Sequence, residues 1–366
     1  MRTLVVLSFV PTVTVAKLIF LAAIWRHGDR APGELPYPLD KNGESKWPRG
    51  WDQLTNEGME QTYKLGKWLR KRYDHFIDEV FDMNKVLILS SDSERALTSA
   101  QAVAAGLYKP DDEFEWKDDL KWQPTPIHSV GYNADDPLLK PTNYDCPAYD
   151  AVAAEQNADL FATLDEQNGQ LFAYLSNVSG MPINSTNVDD LYDISQEIAH
   201  DLPQPSWVNT SLLNKIAEFK RQTRTADFNS PEKAKFRGGF LLGDWLQHVN
   251  DAANGVADAL TTLLYSSHDG TVSALTYAMG VGNNLLVPYA TTFILELHRK
   301  DDGDYVQLWY RNQTDSDKKD NSFQLVVPGC EAECPLADFN RLLYPGAYNS
   351  TAELDEACGN TATTVA

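Results

Sequence analysis

Six residues in three separated segments carry the chemistry open to this chain. Arg26, His27 and Arg30 lie in Arg26-His27-Gly28-Asp29-Arg30, Arg95 closes Ser91-Asp92-Ser93-Glu94-Arg95, and His268 precedes Asp269. An imidazole flanked by fixed positive charge gives up its proton easily, so His27 stays neutral with a lone pair free to attack. Guanidinium groups present planar forks that match phosphate oxygens. These types suit transfer of a phosphoryl group from a phosphate monoester to His27. Arg26, Arg30, Arg95 and His268 would hold the charge on its oxygens, while Asp269 protonates the leaving alcohol and later takes a proton from water. The guanidinium groups fill the electrostatic role a metal ion has elsewhere, so neither metal nor cofactor is expected. Because Asp269 must be protonated for the first step, an acid optimum is expected.

The elements around these residues share one pattern. Leu18 to Trp25 is a continuous apolar run, read with Lys17 as a buried parallel strand, and Gly28 after it lets backbone approach a ligand closely. Lys85 to Ser90 is a second such strand. Ser91 and Glu94 then have capping-box spacing, and the following helix turns Ala96, Ala100, Ala104 and Leu107 inward. Arg95 falls in the first turn of that helix, against its dipole, which calls for a ligand or an acidic partner such as Asp92 or Glu94. Thr261 to Ser266 is a third strand, followed through His268-Asp269 by a helix bearing Val272, Leu275, Thr276 and Met279. All three segments thus sit at carboxyl ends of strands, where ligands collect in open α/β sheets. Between the first two strands, Thr55 is placed to cap a helix with Met59, Thr62, Tyr63, Leu65, Gly66, Leu69 and Tyr73 on one stripe. Lys64, Lys67, Arg70, Lys71 and Arg72 read as its solvated face.

The chain has 366 residues, 31 basic and 52 acidic, for a formal charge of −21. That balance argues against nucleic acid or an anionic membrane surface as partner, suits an acid environment, and requires the positive charge to be concentrated locally. Arg2, the apolar stretch Leu4 to Val15, and Thr14 with Ala16 read as a signal peptide over residues 1–16, so a secreted or lumenal protein beginning near Lys17 is expected. The C-terminal region has no apolar stretch suited to a membrane anchor. Cys146, Cys330, Cys334 and Cys358 form an even set with three possible connectivities. Local spacing favours Cys330 with Cys334, leaving Cys146 with Cys358; zinc at Cys330 and Cys334 is the weaker alternative, with no histidine nearby. Glycosylation sequons begin at Asn177, Asn184, Asn209, Asn312 and Asn349.

Arg26-His27-Gly28-Asp29-Arg30-Ala31-Pro32 with a distant His268-Asp269 resembles the two-part signature of the histidine acid phosphatases, a branch of the phosphoglycerate-mutase-like superfamily. The resemblance extends through Trp47-Pro48, Gln53-Leu54-Thr55, Gly58-Met59, Arg70-Lys71-Arg72-Tyr73, Ser91 to Arg95 and Trp122-Gln123-Pro124, and is weakest from about Ala151 to Ser230. It implies His27 as nucleophile, Asp269 as proton donor, and Arg26, Arg30, Arg95 and His268 as phosphate ligands. It implies an α/β fold with a mixed, mostly parallel central sheet flanked by helices and an inserted, mostly helical cap. The core is then residues 17–130 and 236–366, and the cap 131–235. The prostatic and lysosomal-like branch includes both disulfide pairings, and a third bridge of that branch has no cysteines here. Trp122 and His128 match positions at a family dimer interface, so a homodimer is implied, with a core tryptophan as the alternative. The expected substrate is a small phosphate monoester. Alternatives are a phytase, a lysophospholipid phosphatase, or a non-catalytic secreted binding protein on the same fold; the mutase reading fits poorly with secretion.

Overall fold

The computed structural model describes residues 16–110, 113–312 and 322–360, so all of the expected signal peptide but Ala16 lies outside the described residues. A mixed sheet forms the centre. Its strands are β1 (Lys17–Arg26), β2 (Val86–Ser90), β3 (Thr262–Ser267), β4 (Thr292–Lys300), β5 (Gly303–Arg311) and β6 (Ser322–Leu325), in the order β2-β3-β1-β4-β5-β6, with β7 (Cys334–Pro335) paired to β5. β2, β3 and β1 pair in parallel; β4, β5 and β6 continue antiparallel, so β5 points the same way as β1. The α/β class expected from the sequence is the one found, and its parallel pairings join the three strands whose ends carry the chemistry.

The pleat of β1 explains why both faces must be covered. Leu21, Ala23 and Trp25 pack with Leu65 and Leu69 of α1 (Asn56–Arg72) and Val103 and Leu107 of α2 (Glu94–Leu107). The alternate residues Phe20, Ala22 and Ile24 pack with Leu242 and Trp245 of α6 (Pro231–Asn254) and Val272 and Leu275 of α7 (Asp269–Ala278). Each large apolar side chain so buried contributes on the order of 2 kcal/mol.

A separate apolar cluster gathers Leu164, Phe172 and Leu175 of α3 (Pro147–Ser179), Ile194 of α4 (Ile194–Ala199), and Leu212, Ile216 and Phe219 of α5 (Thr210–Ala226). Cys146 at the head of α3 is bonded to Cys358 of α9 (Thr351–Cys358), and Cys330 to Cys334 just ahead of α8 (Leu336–Leu343). The disulfide at Cys330 and Cys334 replaces the zinc alternative. All five sequon asparagines are exposed. Among the described residues no helix is long and apolar enough to cross a membrane.

Thr55 caps α1 as expected, its side chain accepting from the Gly58 N–H. Two other local expectations change. α2 starts at Glu94 with Ser93 at its cap and no side-chain cap bond, so Ser91 lies outside the helix and is free for another partner. The basic residues of α1 are not all a solvated face. Arg70 donates to the carbonyls of Leu107, Ile77 and Asp78. Arg72 reaches Glu296 of β4 at 2.9 Å, a carboxylate that also accepts from Tyr73 (2.7 Å) and Trp309 (3.2 Å) and lies 3.0 Å from His298 Nε2. Glu296 is 5% exposed, so its charge needs this shell of donors. Replacing Arg72 by Met should destabilise the fold by about 3 kcal/mol, because it leaves a buried carboxylate short of its cation. Urea unfolding at neutral pH measures this, and an unchanged midpoint would return Arg72 to the solvated face.

Candidate active site

Strand register brings the three motif segments together. Arg26 pairs with Ser267 across β1 and β3, and Ser266 faces both Trp25 and Ser90, so the three parallel strands end at one level. The His27 N–H then donates to the Ser267 carbonyl (2.8 Å) and the Ser91 N–H to the Ser266 carbonyl (3.0 Å), carrying the order one residue past each strand.

His27 is 3% exposed. Its Nδ1 lies 2.8 Å from the Gly28 carbonyl oxygen, an acceptor only, so Nδ1 carries the proton and the lone pair is on Nε2. Arg95 directs its Nε–H to that lone pair at 3.3 Å. Burial, then Arg26, His268 and Arg95, holds the His27 imidazole well below its usual range, against the opposing pull of the Gly28 carbonyl. His268 meets His27 edge to face with centroids 5.5 Å apart. Its Nδ1 is 3.4 Å from Arg95 Nη2 and its Nε2 is 2.8 Å from Ser91 Oγ, which is the partner that the unused cap residue finds. Burial and Arg95 also keep His268 neutral, well below its usual range.

Arg26 donates to the Val287 carbonyl at 2.6 Å and stacks 3.9 Å over Tyr289. Arg30 donates to the Ala31 carbonyl (2.7 Å) and meets Asp193 at 3.4 Å and Asp52 at 3.6 Å. Asp52 also pairs with Arg95, so the acidic partner of Arg95 is neither Asp92 nor Glu94. Asp269 receives a bond of 2.9 Å from Arg224 of α5. All six candidate residues thus converge. Arg26, Arg30 and Asp269 line a cavity of about 1100 Å³ together with Asp189, Asp190, Asp193, Lys220 and Arg224.

Asp29 stands apart from its motif. It is 4% exposed, and its carboxylate accepts from Gln196 of α4 and Thr55 (2.5 Å each) and lies 2.7 Å from His200 Nε2. It anchors the loop rather than facing the cavity. Gly28 also has a different use from the one expected. A Cβ there would lie 2.1 Å from the Gly58 carbonyl oxygen, and one at Gly58 2.1 Å from that of Asp29. The pair lets the loop rest directly on the first turn of α1. Sequence reasoning missed Asp52, Asp193, Tyr289 and Arg224, all of which reach the motif from distant segments. Trp122 is 39% exposed beside Trp116, not a core residue, and the backbone of His128 pairs with β2.

Residues 17–311 match the histidine phosphatase superfamily (branch 2). The chain belongs to that superfamily. Among its relatives, lysosomal acid phosphatase of Xenopus laevis is 36% identical over 93% of this chain and 80% of that protein. Prostatic acid phosphatase of Homo sapiens is 33% identical over 91% and 86%. Among solved structures, the Hafnia alvei phytase shares the fold with a TM-score of 0.69 and 17% identity, covering 96% of this chain and 99% of that one.

In this histidine phosphatase, Asp52 engages Arg30 and Arg95, so a phosphate ion bound by these guanidinium groups would compete with its carboxylate for the same donors. Asp52→Asn should lower the inhibition constant of inorganic phosphate about two- to fivefold, the range for a partly exposed pair. Phosphate titration of activity at pH 5 measures it, and unchanged or weaker inhibition would contradict the competition.

Proposed function

We propose that the protein is an acid phosphatase that cleaves phosphate monoesters through a phosphohistidine on His27. The observation that carries this reading is a buried, neutral imidazole whose Nε2 lone pair faces the guanidinium of Arg95. In the first step Nε2 bonds to phosphorus as the bond to the leaving oxygen breaks, and Asp269 gives that oxygen its proton. In the second, water bonds to phosphorus as the bond to Nε2 breaks, Asp269 takes a proton from that water, and inorganic phosphate leaves. Arg26, Arg30, Arg95 and His268 bind the phosphoryl oxygens, and the fixed charges of the three guanidinium groups replace a metal ion. The acid phosphatase relatives support this activity and an acid working range.

The cavity favours a leaving group without further phosphates. Asp189, Asp190, Asp193 and Glu34 line it, and burial together with Asp189 and Glu34 pushes the Asp190 carboxyl up. A polyphosphorylated substrate would add to that crowding, which argues for a simple monoesterase over a phytase. The segment 131–235 acts in this reading as a cap, having an apolar cluster that Tyr37 joins from the core and supplying Asp193, Gln196 and Arg224 to the site. The two disulfides and five exposed sequons support a secreted or lumenal location.

The test compares leaving groups at pH 5 with a chelator present. His27→Ala should abolish turnover of every ester. Asp269→Asn should cost about a hundredfold or more in kcat/KM on an alkyl phosphate but under about tenfold on p-nitrophenyl phosphate, whose leaving group needs little protonation. Equal losses on both esters would remove Asp269 as the acid, and inactivation by the chelator would overturn the metal-free chemistry.

A further inference from the structure

The reach of Arg224 from α5 to Asp269 was invisible in the sequence, and its contacts form a built seat. Its Nε–H donates to Asp269 Oδ2 (2.9 Å) and its Nη1–H to Asp227 Oδ2 (3.1 Å), while the guanidinium lies 5.5 Å over the Phe228 ring. The remaining side is closed by Gly270, the residue after Asp269. A Cβ at Gly270 would stand 2.3 Å from Arg224 Nη2 and 2.9 Å from Thr142 Cγ2. A side chain at position 270 would therefore push this guanidinium from its place next to Asp269. Both side chains remain open to the cavity, Arg224 being 21% and Asp269 28% exposed.

We propose that Arg224 is a positioning residue for Asp269, seated by Gly270, which fixes the carboxylate in the cavity and so confines cleavage of esters with poor leaving groups to acid solution. The inference rests on the proposed role of Asp269 as proton donor. A carboxylate tied to a guanidinium is the wrong form for the first step, which consumes a proton from Asp269. It is the right form for the second, which returns one from water.

Asp227 on the same guanidinium and Asp189, Asp190 and Asp193 in the same cavity are carboxylates that act against Arg224, whereas the other cations around Asp269 act with it. Arg26 of β1 and Lys220 of α5 add to its pull, and Arg30 and Arg95 also interact with the carboxyl. His268 beside it is held neutral. Burial acts the other way, yet these cations together hold the Asp269 carboxyl well below the usual carboxylate range. Because Arg26 and Lys220 stay in place when Arg224 is removed, the change expected is partial.

The experiment is the pH dependence of kcat/KM from pH 3 to 8 on glycerol 2-phosphate and p-nitrophenyl phosphate. It compares the wild type with Arg224→Lys, Arg224→Gln and Gly270→Ala. On the glycerol ester, Arg224→Gln should move the alkaline limb up by about one pH unit, and Arg224→Lys should keep the wild-type limb. Gly270→Ala, which displaces the guanidinium without removing it, should move the limb the same way by a smaller amount. On p-nitrophenyl phosphate the limb should stay within a few tenths of a unit. A uniform loss across pH with every limb unmoved would make Arg224 a structural brace and overturn the proposal, even with Asp269→Asn still selective for poor leaving groups. Equal losses in Asp269→Asn on both esters would instead remove the acid role itself, and this inference with it.

Discussion

The site depends on holding like charges close together around a neutral ring. Arg26 and Arg95 both bear on His27, and Arg95 also bears on His268 and repels Arg30. In water such groups would drift apart or collect counterions. Here the parallel pairing of β1, β3 and β2 fixes the backbone beneath them, so strand-end register decides the spacing of the charges. Burial, together with this crowding, keeps His27 unprotonated in acid solution, where an ordinary histidine would carry a proton.

The repulsion is offset from outside the sheet. Asp52, from the loop before α1, pairs with Arg30 and Arg95; Asp193, just ahead of α4, pairs with Arg30; and Tyr289 supplies its ring to Arg26. Asp29 carries the coupling further, since its buried carboxylate joins the His27 loop to Gln196, His200 and Thr55 at once. The loop, the helical segment and the start of α1 therefore set the geometry jointly. A chain of net charge −21 has carboxylates to spare for this, and several of them are placed where they temper the local positive field.

Much of this was legible in the sequence because it is local. Apolar runs ending at Trp25, Ser90 and Ser266 marked the strands, and the residues just after them marked the site. What stayed hidden is long-range, such as Arg30 to Asp193 across 163 residues or Arg72 to Glu296 across 224. Some signs were available. A lone carboxylate inside the apolar run Thr292 to Leu297 must be buried, and so must recruit a cation. A glycine in the first turn of α7 gives up helix propensity, which signals a close neighbour. Ser91 misled because its spacing to Glu94 satisfied a capping pattern, while the helix began on Ser93 and left its hydroxyl to His268.

The central claim is that Nε2 of His27 becomes covalently bonded to phosphorus. Rapid mixing with p-nitrophenyl phosphate, quenching under alkaline denaturing conditions that preserve phosphohistidine, and peptide mass analysis test it directly. The account predicts phosphate on the peptide containing His27, bound through Nε2, at a level that decays as substrate is exhausted. Turnover with no phosphoenzyme at any mixing time, or phosphate on another residue, would contradict it.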